Sequence, residues 1–578
     1  MLRIWRTPES RFGIHCEFPD DLQDETVHAT DTYDDDRLRK IAEQGFNAVW
    51  VHGQLHHLVK HPLFPEFGKH EEQHLHALQA LIRRAEKAGL QVFLYLQPPR
   101  AIPVSDTEFW KNHEEHGGMV METIADDTDR KFDERALCTS HPEVRRYIAG
   151  AFASLTEKLP GLGGYIIISA SEYPAHCYSR RNCKPGLPPV RSLIMDQVPT
   201  ECPRCARRDP WEVVGELLQT IRDGVRSVSR ETRLVFWNWS WSMYCDPPCM
   251  EIIEKLPADC ILMADFERGG IRRDGVYIDE YSLGYAGPSE QFLGALEAAR
   301  KKGISVMAKL QIGTTHELAT VCSLPLIGNL FYKAAFIRKN HLEGFLGCWN
   351  FGNFDSANLS AVNEFLTFGT ADTAKEQALM DFAHHFFPEA DASLLCRAWS
   401  CFAQAMEVYP FCVPFLYAAP VNHALGLLPG PGPLDGQTVG RSWLPDPRGE
   451  DYRECLTETF PLENVIERFR TMSLWWEEGT RQMEQAFGSH AKERSLLELG
   501  NALICGAVWK SSELLFRIYK LKKNWKDFLL PEYENLAALQ RENMRSVLPY
   551  LEKDPRQGLH LEGNFYSFSA EKIRRIFQ

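Results

Sequence analysis

Glu172 follows a run of β-forming residues, YIII (165–168), and the short Ser169, Ala170 and Ser171, and stands where a buried parallel strand would pass into a loop. Other polar and aromatic residues follow comparable apolar runs: His15 and Glu17, His52, Gln97 and Arg100, Asp265 and Glu267. Gln311, Thr315, His316 and Glu317 follow another run, and Trp349, Asn350 and Asp355 the last. The stretch WNWSW (237–241) adds Trp237, Asn238, Trp239 and Trp241, three tryptophans that share a side if the chain is extended. Carboxylates among tryptophans suit a sugar, because aromatic faces cover the C–H surface of a pyranose ring while carboxylates and amides bind its hydroxyls. A phosphate ligand would call for glycine-rich turns and clustered cations, and neither is found here. Cleaving a glycosidic bond needs two carboxyls: one holds a proton for the leaving oxygen, the other attacks the anomeric carbon or activates water. The acid must have its pKa raised by burial or a neighbouring charge.

Each of these residues also has a plainer reading. Glu317 lies in TTHELA, which suits the first turn of a helix. His15 and His52 fit satisfied histidines at a barrel end, and some of the tryptophans, with Trp475 and Trp476 further on, fit a core. Tyr417, Asn422 and His423 lie in a loop for which the mouth of this barrel and that of a partner subunit are both open destinations. Cys177, Cys183, Cys202 and Cys205 fall together after YIIISASE, the last two as CPRC. Four thiolates so spaced can hold a structural Zn2+, a role that leaves no open position for catalysis. Two disulfides or four free thiols are the other readings.

The elements that would position these residues follow a regular rhythm. Apolar runs at 12–16, 47–53, 91–99, around Ile166, 233–241, 260–267, 304–313 and 344–352 alternate with amphipathic segments such as LHALQALIRRAEKAGL. Eight such units predict an α/β fold, a (β/α)8 TIM barrel over 1–365 with a cysteine-rich loop at 173–210. No G-x-G-x-x-G follows any run, which argues against an open dinucleotide-binding sheet. Beyond about residue 366 only amphipathic helical patterns remain, predicting an all-helical C-terminal domain over 366–578. A (β/α)8 site is built at the carboxyl ends of the strands. Glu172 and Glu317, beyond the fourth and seventh runs, would face one another across that mouth. Carboxyls about 5–5.5 Å apart would give retention, and roughly 6.5–9.5 Å inversion.

A net charge of −14 disfavours a nucleic-acid surface. No run of 18 apolar residues suggests a membrane span. MLRIWRTPESRFG lacks a signal-peptide core, and a reducing cytoplasm is the expected location. No organic cofactor is expected, and a homo-oligomer is left open.

Four segments carry a resemblance: LCTSHPEVRRYI (137–148), IIISASE (166–172), CPRC (202–205) and AKLQIGTTHELATVCSLP (308–325). Together they resemble bacterial (β/α)8 glycoside hydrolases related to the β-N-acetylhexosaminidases, and barrel proteins with a helical C-terminal half. The likeness covers about 1–365; YPFCVPFLYAAPVN (409–422) and DPRQGLHLEGNFY (554–566) fit the same set more weakly. It implies a retaining enzyme acting on a terminal sugar such as an N-acetylhexosamine, with Glu172 as acid/base and Glu317 as nucleophile. His15, His52, Gln97, Trp237, Asn238, Trp239, Asp265, Glu267, His316 and Trp349 are the expected sugar contacts. There is one departure: Ser171 precedes Glu172, where the hexosaminidases carry an Asp that orients the substrate acetamide. The alternatives are substrate-assisted hexosaminidase chemistry, with Asp265 or Glu267 in that role, and a non-catalytic carbohydrate-binding barrel. A zinc hydrolase at the cysteines ranks last.

Overall fold

The computed structural model describes residues 1–8, 22, 24–124, 131–169, 174–178, 200–349, 352–368 and 374–578. Among these, eight parallel strands close into a barrel: β1 (Leu2–Trp5), β2 (Ala48–His52), β3 (Gln91–Leu96), β4 (Gly164–Ile168), β5 (Arg233–Trp237), β6 (Ile261–Asp265), β7 (Ser305–Lys309) and β8 (Gly344–Leu346). Each pairs with its neighbour in sequence, and β8 closes on β1 through Leu2↔Gly344 and Ile4↔Leu346. A Cβ at Gly344 would lie 2.0 Å from the Leu2 carbonyl oxygen, so closure needs glycine there.

The period of two is visible in the packing. Ile4, Trp50, Phe93, Tyr95, Ile166, Ile168, Val235, Trp237, Met263 and Met307 form one buried cluster inside the barrel. The alternate residues, such as Val49, Val51, Leu94, Ile167 and Phe236, face the helices in another. Those helices are α1 (Asp35–Glu43), α2 (Glu71–Lys87), α3 (Pro142–Lys158), α4 (Pro210–Arg226), α5 (Met250–Ile253), α6 (Glu290–Lys301), α7 (Ile327–Lys339) and α8 (Ala357–Phe368). Local signals start them: the Asp34 carboxylate accepts from Arg37 N at 2.8 Å, Ser289 Oγ accepts from Phe292 N at 3.0 Å, and Pro142 and Pro210 occupy first turns.

Two expectations change. The first strand is Leu2–Trp5, not 12–16, which lies outside the described residues. Its apolar pattern is short and interrupted by Arg3, whose guanidinium turns outward to Asn363 Oδ1 at 3.3 Å and Thr367 Oγ1 at 3.1 Å on α8. The fifth strand stops at Trp237; Trp241 sits in a 3-10 turn and is buried in the helix-side core, so WNWSW is not one extended face.

Two excursions were not legible as strands. After β3, Ile102–Pro103, Gly117–Ile124 and Lys131–Leu137 form a small antiparallel sheet. After β6, Gly270–Ile271 pairs with Tyr277–Ile278. Beyond α8 come α9 (Lys375–Phe386), α10 (Ala392–Met406), α11 (Leu462–Phe487), α12 (Glu493–Lys523) and α13 (Leu530–Ser546), with a short ladder of Leu559–His560 and Phe565–Tyr566. Trp476 is buried against Phe402, ring centroids 4.6 Å apart, whereas Trp475 is half-exposed. No described helix is long and apolar enough to cross a membrane.

The C-terminal helices join the barrel through the segment after β7. Ala319 N donates to Asn422 Oδ1 at 2.9 Å, Asn501 Nδ2 to the Ser323 carbonyl at 2.7 Å, and Gly558 N to the Thr320 carbonyl at 2.8 Å. The residues 314–324 are therefore buried from both sides.

Candidate active site

At the carboxyl ends of the strands lies a small, partly open pocket lined by Ile168, Trp237, Trp239, Glu280, Tyr281, His316, Trp349, Tyr417 and Glu562. Its floor continues the stacked interior of the barrel: Trp50 lies parallel to Trp349 with centroids 5.3 Å apart, and Trp349 meets Trp237 edge-on at 4.9 Å. Below, the Arg6 guanidinium lies 3.9 Å over the Trp50 ring and grips both oxygens of buried Glu25, fixing the deepest ring. His316 bridges the walls, edge-on to Tyr417 at 5.7 Å and tilted to Tyr281 at 5.4 Å. Tyr417 and Glu562 belong to the C-terminal region, so the pocket is completed by residues far from the barrel in sequence.

Glu280 is the carboxyl the sequence reading missed. It follows the ladder after β6, where no periodic pattern marks it, and is 6% exposed. Burial pushes its carboxyl up to about 7; the Arg268 guanidinium opposes this, the Asp265 carboxylate adds to it, and the Lys309 ammonium opposes it. Lys309, the last residue of β7, is fully buried with Nζ 3.2 Å from the centre of the Tyr281 ring. Burial also holds His316 well below the usual histidine range, with Lys309 adding to the effect, so its imidazole is neutral at neutral pH.

Glu317 is buried beside this pocket but is not on its lining. Both of its oxygens are engaged: Ser282 Oγ donates at 2.5 Å and Gly284 N at 2.9 Å to one, Leu283 N at 3.3 Å and Thr315 Oγ1 to the other. Asn329 Nδ2 donates to the carbonyls of Leu283 and Gly284, and Lys333 Nζ to that of Ser282 at 3.0 Å. The carboxylate thus anchors the turn that carries Glu280 and Tyr281.

The other expected contacts divide. Trp237, Trp239, His316 and Trp349 line the pocket. Asn238 and Asp265, with Trp239 again, line a small neighbouring cavity. Asp265 accepts from Trp237 Nε1 at 2.8 Å, and burial pushes its carboxyl up against the opposing Arg268 and Lys309. Glu267 faces away, in a fully buried ion pair with Lys333 that also takes Gln311 N at 3.0 Å. His52 and Gln97 are buried but off the lining; His52 packs on Tyr95 at 5.2 Å. Glu172, His15, Glu17, Asn350 and Cys183 lie outside the described residues.

Cys177, Cys202 and Cys205 do come together, and the fourth member is Cys138, from the end of the sheet inserted after β3. This buried set could hold a metal ion. Cys138 lies in LCTSHPE, outside the cysteine-rich loop, which is why spacing alone did not select it.

No protein-family model and no curated protein matches the chain. Among solved structures it is similar to a glycoside hydrolase family 138 enzyme targeting pectin rhamnogalacturonan II, with TM-score 0.49 and 11% identity, over 98% of this chain and 63% of that one. It is also similar to a family 5 glycoside hydrolase from Prevotella bryantii, with TM-score 0.35 and 12% identity over 63% of this chain and 94% of that one. A mutant O-GlcNAc hydrolase of Thermobaculum terrenum matches with TM-score 0.36 and 10% identity, over 94% of this chain and 90% of that one. The chain spans less than two thirds of the family 138 enzyme, 63% of its length.

Proposed function

We propose that the chain is a glycoside hydrolase that takes one terminal sugar into the aromatic pocket. The observation that carries this reading is the lining of the pocket: five aromatic side chains together with Glu280 and Glu562 at the carboxyl ends of the barrel strands. Glu280 is the proton donor in this reading, since a carboxyl with its pKa near 7 still holds a proton at neutral pH. Glu172, positioned by sequence alone after β4, supplies the second carboxyl. Glu317 acts as a positioning residue for the turn of Glu280 and Tyr281, because its oxygens are already engaged. Neutral His316 and Glu562 bind sugar hydroxyls.

Direct attack by an enzyme carboxylate is preferred over substrate assistance. Of the two residues expected to orient an acetamide, Asp265 is bonded to Trp237 and lines the neighbouring cavity, and Glu267 is held in a buried pair with Lys333. Strong inhibition by a thiazoline mimic of an N-acetylhexosamine would reverse that preference. Any metal at the cysteines is structural, because four sulfur ligands leave no open position.

The test is a panel of nitrophenyl glycosides with Glu280→Gln and Glu172→Gln. Each substitution is expected to lower kcat by about a hundredfold or more with folding unchanged. Retention of configuration, expected from the sequence, is checked by proton NMR of the first-released anomer. Sugar binding without turnover of any glycoside would identify a carbohydrate-binding barrel instead, and the absence of both would overturn the reading.

A further inference from the structure

Away from the pocket, four reactive side chains converge from two separate excursions of the barrel. Cys138 follows the last strand of the sheet inserted after β3, while Cys177, Cys202 and Cys205 belong to the connection between β4 and α4. All four are buried, and their sulfurs lie within 4.8 Å of one another. The Cys138 sulfur is 3.6 Å from that of Cys202 and 3.7 Å from that of Cys205. A tetrahedron of thiolates about 2.3 Å from zinc has edges of about 3.8 Å, whereas a disulfide would draw one pair to about 2.05 Å. Cys202 and Cys205 form a tight knuckle: Cys205 N and Ala206 N both donate to the Cys202 carbonyl, at 3.0 and 2.8 Å.

The surroundings also fit. A Cβ at Gly118 would come within 2.4 Å of the Cys177 sulfur, so the inserted sheet leaves its space to that atom. Ser140 Oγ lies 3.2 Å from the Cys205 sulfur and accepts from Arg208 at 2.8 Å, which brings a cation near what would be a dianionic centre.

We propose that Cys138, Cys177, Cys202 and Cys205 bind one Zn2+ tetrahedrally, as a clip fastening the connection after β4 to the sheet inserted after β3. The four cysteines share one small buried cluster with Met119, Met121, Ala136 and Val213, and a metal held there contributes directly to the folding of both excursions. The site does not depend on whether the pocket hydrolyses a sugar.

The experiment is metal analysis of the purified full chain, beside Cys138→Ser and Cys183→Ser. One zinc per chain is expected, released by a mercurial thiol reagent, lost in C138S and kept in C183S. Should C138S fail to fold, Co2+ exchanged into the unaltered protein must give the ligand-field and sulfur-to-metal charge-transfer bands of a tetrathiolate. Zinc retained in folded C138S, zinc lost in folded C183S, a cobalt spectrum with fewer than four thiolates, or a metal-free chain with these cysteines free or disulfide-bonded would each overturn the assignment.

Discussion

At the scale of the residue, the donor role proposed for Glu280 makes a prediction about pH. Its proton is needed for the donor role, so activity is expected to be high below about 7 and to fall as pH rises through that value. A kcat/KM profile over pH checks this, and an upper limb far from 7 would remove Glu280 from the role. Glu317 makes a second case. Replacing it with Ala leaves several buried donors unmet, a loss of about 3 kcal/mol of stability by chemical denaturation. Because the same turn carries Glu280, the E317A profile should also shift its upper limb, which a purely structural carboxylate elsewhere would not do. Neither glutamate's part was legible in the sequence. Glu280 lies among short irregular strands, and Glu317 looks equally like a helix start or a strand-end acid until its partners in the 282–284 turn are known.

Elements are held to one another by buried charge as much as by apolar packing. Glu267 at the end of β6 and Lys333 on α7 form a fully buried pair. Lys333→Met should cost about 3–5 kcal/mol, because it strands a carboxylate, while adding Glu267→Met should recover much of the loss; urea titration of both variants reads the difference. On α12, Glu498 accepts from Ala357 N at 2.7 Å, at the start of α8. Burial raises its carboxyl from 4.5 to about 7, with the Ala357 amide opposing. The folded state therefore keeps a proton that the unfolded chain releases. The stability this adds is fully present below pH 4.5 and is lost as pH rises through about 7. Thermal unfolding from pH 5 to 8 should be flatter in Glu498→Gln, which can still accept from Ala357. The barrel strands were legible because buried parallel strands are apolar throughout. β1 was not, because Arg3 interrupts a run of four residues and finds its partners more than three hundred positions away on α8.

For the whole molecule, the decisive fact is that one buried cluster runs from the barrel helices through α9 to α12 without a break. Barrel and C-terminal helices should unfold in one calorimetric transition; two resolved transitions would contradict a shared core. The same joint explains why AKLQIGTTHELATVCSLP stood out: it is the seam between the two halves, bonded to Asn422, Asn501 and Gly558. The C-terminal contribution to the pocket is directly testable. Tyr417→Ala should weaken sugar binding about tenfold, worth about 1.4 kcal/mol, as read by isothermal titration. Sequence left open whether Tyr417 reaches the mouth, and it marked Glu562 only as part of DPRQGLHLEGNFY; the tertiary fold joins both to the pocket.

That placement has a bearing on biosynthesis. Since Glu562 closes one side of the pocket, a ribosome releases every barrel strand long before that pocket is complete. A nascent chain therefore carries the pocket without that wall, and a nonsense mutation shortly before that codon would leave a barrel with an open flank.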